Sequence, residues 1–174
     1  KVFVMNLNHH LYQVIRSNPK INNFWGQEFL RDVLIPDLLG NDTHSILYWA
    51  GKRMANQYPL SSSQDLITFF AQTGLGKLDL ISQSKTKINW QLGGQLVKKR
   101  LAINPKCDFM FEAGFLAKNA EQNHHLNAEA EINPKKIKRG QILIQIISNP
   151  NHKLPVQNHQ EWLRIISNDK KRPS

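Results

Sequence analysis

The chain has 174 residues, of which 40% are hydrophobic and 21% charged, and it carries a formal net charge of +10 and a single cysteine. That length suits one domain with its own core, and the composition excludes both a disordered chain and a membrane-embedded one. The lone Cys107 excludes an internal disulfide and cannot by itself nucleate a thiolate zinc site, so a reducing cytoplasm is the expected compartment.

Lys1-Val2-Phe3-Val4-Met5-Asn6 is too brief for a signal-peptide core, and Met5 is itself a candidate start, so secretion is not expected. Residues 1–23 read as a loosely held, Asn-rich lead-in. From Phe24 and Trp25, apolar residues recur at three- and four-residue spacing through Phe29, Leu30, Val33, Leu34, Leu38 and Leu39. This is one helix, ended by Gly40 and kinked by Pro36. Asp42 or Asn41 offers an N-cap to a second helix, striped by Ile46, Leu47, Trp49, Ala50, Met54 and Ala55 and closed at Tyr58-Pro59. Gly51 inside it costs up to about 1 kcal/mol relative to alanine, which marks close approach by another helix or a ligand. Ser61-Ser62-Ser63 precede a third helix with Leu66, Ile67, Phe69 and Phe70 inward, stopped by Gly74 and Gly76.

The period then changes from helical to alternating. Leu78, Leu80, Ile88, Trp90 and Leu92 read as an antiparallel hairpin, and Val97 to Ile103 fits either a strand or a helix, with the strand favoured. A helix runs from Glu112 to about His124, followed by strands around Ala128–Ile132 and Gln141–Ile147 with a basic turn between them. Asn149-Pro150-Asn151 breaks the pattern, leaving residues 149–174 as a basic extension with a short amphipathic helix through Trp162, Ile165 and Ile166. Helices followed by hairpins, without βαβ alternation, give an α+β domain over residues 24–148, its helices packed on a twisted antiparallel sheet.

The positive charge is clustered in Lys98-Lys99-Arg100, in Lys135 to Arg139 and in Lys170-Lys171-Arg172, without interleaved aromatics. That arrangement favours solvated surface charge over a nucleic-acid site, which would want stacking platforms among the cations.

Three segments, Arg31 to Gly40, Ile46 to Lys52 and Phe111 to Ala117, resemble the YslB-like family of small proteins from low-GC Gram-positive bacteria. More distantly they are similar to the superfamily of 4-vinyl-reductase-like domains, transport-particle subunits and haem nitric oxide/oxygen sensors. The resemblance implies helices against a twisted antiparallel sheet with an apolar pocket between them. It does not supply an activity. The haem sensors' Tyr-x-Ser-x-Arg anchor is missing, so no haem or other cofactor is expected. The acylated cysteine of the transport-particle branch is replaced by Leu60-Ser61-Ser62-Ser63.

Cys107 opens an apolar run and reads as a small inert hydrophobe, with a redox or acylation role as its alternative. His9-His10 and His124-His125 are adjacent pairs that point about 100° apart on a helix and cannot chelate one ion, so no metal site is expected. No nucleophile elbow, phosphate loop or zincin motif occurs, and an enzyme is not expected. The residues instead suggest a small-molecule-binding or sensor domain for a hydrophobic ligand, walled by Leu47, Trp49, Gly51, Met54, Phe69, Phe70, Phe109, Phe111, Gly114 and Phe115. Glu112 is either the cap of the following helix or the polar handle of that pocket. The alternatives are that these residues simply fill the core, or that the chain is a homodimeric adaptor using an exposed apolar helix face.

Overall fold

In the computed structural model, residues 26–132, 140–155 and 161–165 are described. Phe24, Trp25, His9-His10, the basic turn beginning at Pro134, Ile166 and the Lys170-Lys171-Arg172 cluster lie outside them.

The first helix is not uniform. Its middle, Phe29–Leu34, is π-helical and runs into α1, Ile35–Leu39. Pro36 explains this: it has no N–H to donate and its ring crowds the carbonyl one turn back, so the chain widens ahead of it. Ile35 N–H accordingly bonds Leu30 O, five residues away. Gly40, at φ 59°, ends α1, and a short 3-10 turn over Gly40–Asp42 leads into α2, Thr43–Gln57. α3, Ser63–Gln72, is capped by Ser62, whose hydroxyl accepts from Asp65 N–H.

β1 (Lys77–Gln83) and β2 (Lys87–Gly93) form the expected hairpin. The segment read as a strand from Val97 to Ile103 is instead a helix, α4, Gln95–Ile103. Gly94, at φ 93°, turns the chain out of the sheet, and Val97 and Arg100 then share one buried helical face. α5 (Met110–His124), β3 (Leu126–Ile132) and β4 (Ile142–Lys153) complete the fold.

The sheet is antiparallel throughout, in the order β1-β2-β4-β3. Its inner face presents Leu78, Ile88, Trp90, Leu92, Ile142, Ile144 and Ile146 to the helices, all buried. The outer face carries a polar ladder in which Gln145 donates to Asn89 at 2.7 Å and Asn89 to Ser82 at 2.7 Å. One wet and one dry face is what the period-two alternation requires. The architecture is therefore α+β, helices packed on an antiparallel sheet, as the element order suggested.

The pattern break at Asn149-Pro150-Asn151 does not end β4, which runs on to Lys153. The pairing slips here, from Ala128 opposite Ser148 to Leu126 opposite Lys153, and a proline fits where no ladder bond is needed. Residues 161–165 are not helical either: Leu163 N–H bonds Pro59 O at 2.8 Å, and Leu163 and Ile165 pack on the core.

α5 is the central helix, buried over most of its length between the sheet and α2. Its Phe115 stacks on Phe69 with centroids 5.2 Å apart and meets Phe70 edge-on at 5.8 Å. α2 crosses it at two glycines. A β-carbon on Gly51 would lie 2.8 Å from Phe115 N and closer still to Phe111 O; one on Gly114 would lie 2.8 Å from Tyr48 C and 3.2 Å from Lys52 N. No helix among the described residues is long and apolar enough to cross a membrane.

Candidate functional site

The first helix, α4 and α5 converge on a buried group of charges. Arg100, 4% exposed, donates from Nε and Nη2 to both oxygens of Asp32, at 3.0 and 2.7 Å, and from Nη2 to Asp108 O at 2.7 Å. Its guanidinium also lies 4.2 Å over the Phe109 ring. Arg31, one turn of helix from Glu28 and 5.8 Å over the Phe111 ring, donates to Glu112 Oε2. Glu112 is fully buried; its Oε1 lies 3.6 Å from Arg100 Nη1 and accepts no hydrogen bond from the described residues. Glu28, 4% exposed, is 3.6 Å from Arg100 Nε and hydrogen-bonds Asp32.

Three carboxyl groups thus face two guanidiniums in a largely buried group, and the imbalance falls on Glu28. Burial, then the hydrogen bond to Asp32 and the charge of Asp32, push its pKa up to about 8 against the pull of Arg100 and Arg31. Asp32 moves the other way: burial alone would raise its carboxyl, but the bonds and charge of Arg100 hold it below the usual range. Arg100 stays charged in spite of its burial because Asp32 and Glu112 face it. The Cys107 thiol, beside the same group, is pushed by burial up to about 12 and remains protonated.

Above these charges lies an open cleft of about 330 Å3. Leu30 and Ile35 come from the first helix, Leu47 from α2, Leu75 from beyond the end of α3, Leu96 from α4 and Phe111 from α5, with Glu28, Arg31 and Arg100 at its charged end. A second cleft of about 320 Å3 lies between α3, α5 and the β1–β2 hairpin, lined by Ser61, Ser62 and Ser63, Leu66, Ile88, Trp90 and Asn119 among others. Asn119 is already engaged there, donating to Leu60 O at 2.8 Å.

The proposed pocket walls are dispersed. Leu47 and Phe111 line the first cleft. Gly51 and Gly114 sit in the α2–α5 contact, where the neighbouring backbone fills the space beside them. Phe69, Phe70, Phe115 and Met54 belong to the core, and Phe109 is buried beneath Arg100. Trp49 is 62% exposed, because the buried stripe of α2 runs through Leu47, Tyr48, Gly51, Lys52 and Ala55 rather than through Ile46 and Trp49. Glu112 makes no cap hydrogen bond; α5 begins after Phe109, and the carboxylate turns to the arginines instead.

The residues sequence reasoning passed over are Glu28, Arg31, Asp32, Arg100 and Lys52. Their signal was present: Glu28 and Asp32 are spaced i, i+4 on the first helix with Arg31 between them, and Lys52 follows Gly51 on the packed face. Lys52, 7% exposed, donates to Glu121 Oε1 at 3.1 Å, to Glu129 Oε1 at 3.1 Å and to Ala128 O at 3.0 Å. Beside it Tyr48 donates to Glu129 and accepts from Ala130 N–H at 3.1 Å. Both side chains therefore cap the outer edge of β3, the last strand of the sheet. Among the described residues no group of three or more His, Cys, Asp and Glu side chains is placed to hold a metal ion.

Residues 24–146 match the model of a family described as "Protein of unknown function (DUF2507)". The chain belongs to this family. It is 34% identical over 114 residues to "Uncharacterized protein YslB" of Bacillus subtilis (strain 168), an alignment covering 66% of this chain and 77% of that relative. The family resemblance carried by the Arg31, Ile46 and Phe111 segments is thereby established. Among solved structures the chain is similar to a trafficking protein particle complex subunit 3 from Naegleria fowleri covalently bound to palmitic acid. The TM-score is 0.38 at 12% identity, with 88% of this chain and 96% of that one covered.

Proposed function

We propose that this member of the family is a non-enzymatic small-molecule-binding or sensor domain whose site is the cleft between the first helix, α2 and α4. One observation carries the reading: an open, mostly apolar cavity ends on a buried charge cluster in which the Glu112 Oε1 atom has no hydrogen-bond partner among the described residues. Burying Glu28, Arg100 and Glu112, with Arg31 and Asp32 half-buried beside them, is expensive, and charged groups so placed at the end of an apolar cavity are characteristic of ligand sites. A volume of about 330 Å3 is at the lower end of the small-molecule range. The Cys107 thiol beside the charge cluster, pushed up by burial, is a poor nucleophile.

Native mass spectrometry of the purified protein, followed by organic extraction, tests this. A small amphipathic molecule in stoichiometric amount, lost in a Leu96→Trp variant that still folds, is the expected result. A ligand retained equally by Leu96→Trp would place it elsewhere.

A second reading, a homodimeric adaptor, draws on Leu38 and Trp49, which are 72% and 62% exposed on α1 and α2. It requires a concentration-dependent dimer that Leu38→Ser with Trp49→Ser abolishes, measured by sedimentation equilibrium.

A further inference from the structure

The charges at the end of the cleft show which chemical class it takes. With every carboxyl group ionised, Glu28, Asp32 and Glu112 would bring three negative charges against two positive ones on Arg31 and Arg100. Such a cluster, buried among Phe109, Phe111 and the helices, is one positive charge short. The positive charge of both guanidiniums is already opposed by carboxyl groups: Arg100 donates to Asp32 and to Asp108 O, and Arg31 to Glu112. Glu28 is the cluster's carboxyl on the cleft wall, and among the described residues it is held by its bond to Asp32 and a 3.6 Å contact to Arg100.

We infer that the cleft receives an organic cation, a primary or secondary ammonium set against the Glu28 carboxyl, with an apolar body lying along Leu30, Ile35, Leu47, Leu75 and Leu96. This rests on the reading of the cleft as the ligand site. In the empty cleft the missing positive charge is supplied by a proton on Glu28. The groups that face this carboxyl are Asp32 and Arg31 on its own helix, Arg100 from α4, Cys107 from the α4–α5 connection and Glu112 from α5; their balance leaves the proton in place at neutral pH. When an ammonium enters, that proton passes to solvent, the carboxylate takes N–H donors in its place, and the net charge of the cluster is unchanged. Cation binding and proton release are one exchange, which an alcohol or a carboxylic acid of the same length does not perform.

Isothermal titration calorimetry on the full chain with n-hexylamine, hexan-1-ol and hexanoate, at pH 7 in buffers of differing ionisation enthalpy, tests this. Hexylammonium is expected to bind at least about tenfold tighter than hexanol and to release close to one proton per molecule bound, with hexanoate the weakest. In Glu28→Gln, with folding checked by circular dichroism, that preference and the proton release are expected to vanish while hexanol binding persists. Leu96→Trp, which fills the apolar part of the cleft and removes no charge, is expected to weaken amine and alcohol alike. Hexylammonium binding no tighter than hexanol, or without proton release, overturns the cation assignment and leaves the cleft as an apolar site. Failure of all three probes to bind overturns the cleft reading itself.

Discussion

Gly51 and Gly114 are reciprocal: the position where Gly51 would carry a side chain is filled by the Phe111 carbonyl of α5, and the same position on Gly114 by the Tyr48 carbonyl of α2. The two helices touch backbone to backbone, which places Tyr48 and Lys52 at the edge of β3. Alanine would raise intrinsic helix propensity at either site by up to about 1 kcal/mol. The clash with fixed backbone outweighs that gain, since overpacking costs about 1–3 kcal/mol and sometimes more. Gly51→Ala and Gly114→Ala are each expected to lower the urea midpoint with an unchanged m-value; an increase in the midpoint would show that the helices have room to part.

The charge cluster gives stability a defined pH dependence. Below about pH 4.5 Glu28 holds its proton whether the chain is folded or not; between about 4.5 and 8 only the folded chain holds it. The folded state binds more protons there, so stability falls as pH rises through this window and levels off above about 8. Asp32 works in the opposite sense and at lower pH, favouring the folded state above about 3.8 and losing that contribution as pH falls. Glu28→Gln is expected to stabilise the protein at pH 8 by on the order of 1–3 kcal/mol and to flatten the slope between pH 5 and 8 in chemical denaturation. An unchanged slope would mean that Glu28 is ionised in the folded chain at neutral pH.

Tyr48→Phe removes the acceptor for Ala130 N–H and the donor to Glu129 at the outer edge of β3. The expected cost is about 1–2 kcal/mol, with faster aggregation on warming as the strand edge is uncovered, readable by light scattering. Burial and the bond to Glu129 raise the phenol above its ordinary pKa, so wild-type Tyr48 should show no ultraviolet titration below pH 10.

Two aromatics that the sequence treats alike separate sharply in space. Phe115, 1% exposed and in contact with Phe69 and Phe70, is expected to cost about 3–5 kcal/mol on replacement by alanine. Trp49→Ser is expected to stay within about 0.5 kcal/mol of wild type in the monomer, because its ring already faces solvent.

The α+β class, α2 to Tyr58, α3 after its serine run, the β1–β2 hairpin and α5 were all legible in the sequence, because periodicity and punctuation agreed there. α4 was misread because two consecutive lysines and Arg100 mask a helical spacing of Val97 and Leu101, and the carboxylate that receives the buried Arg100 side chain, Asp32, is nearly 70 residues away. The stripe of α2 was rotated for a similar reason: Lys52 is inside because Glu121 and Ala128 receive it, a pairing that no local pattern reveals. Glycines beside aromatics suggested a ligand space at Gly51 and Gly114, whereas the helices occupy that space themselves. The cleft by Glu28 is assembled from five separate segments, and only their packing brings them together.

Methyl-resolved NMR of the full chain during a titration with hexan-1-ol tests most directly whether the cleft beside Glu28 is a ligand site. Shifts confined to the methyls of Leu30, Ile35, Leu47, Leu75 and Leu96 are the expected result. Shifts at Leu66, Ile88 and Leu116, which line the cleft beside Ser61–Ser63, or no shifts at all, would contradict it.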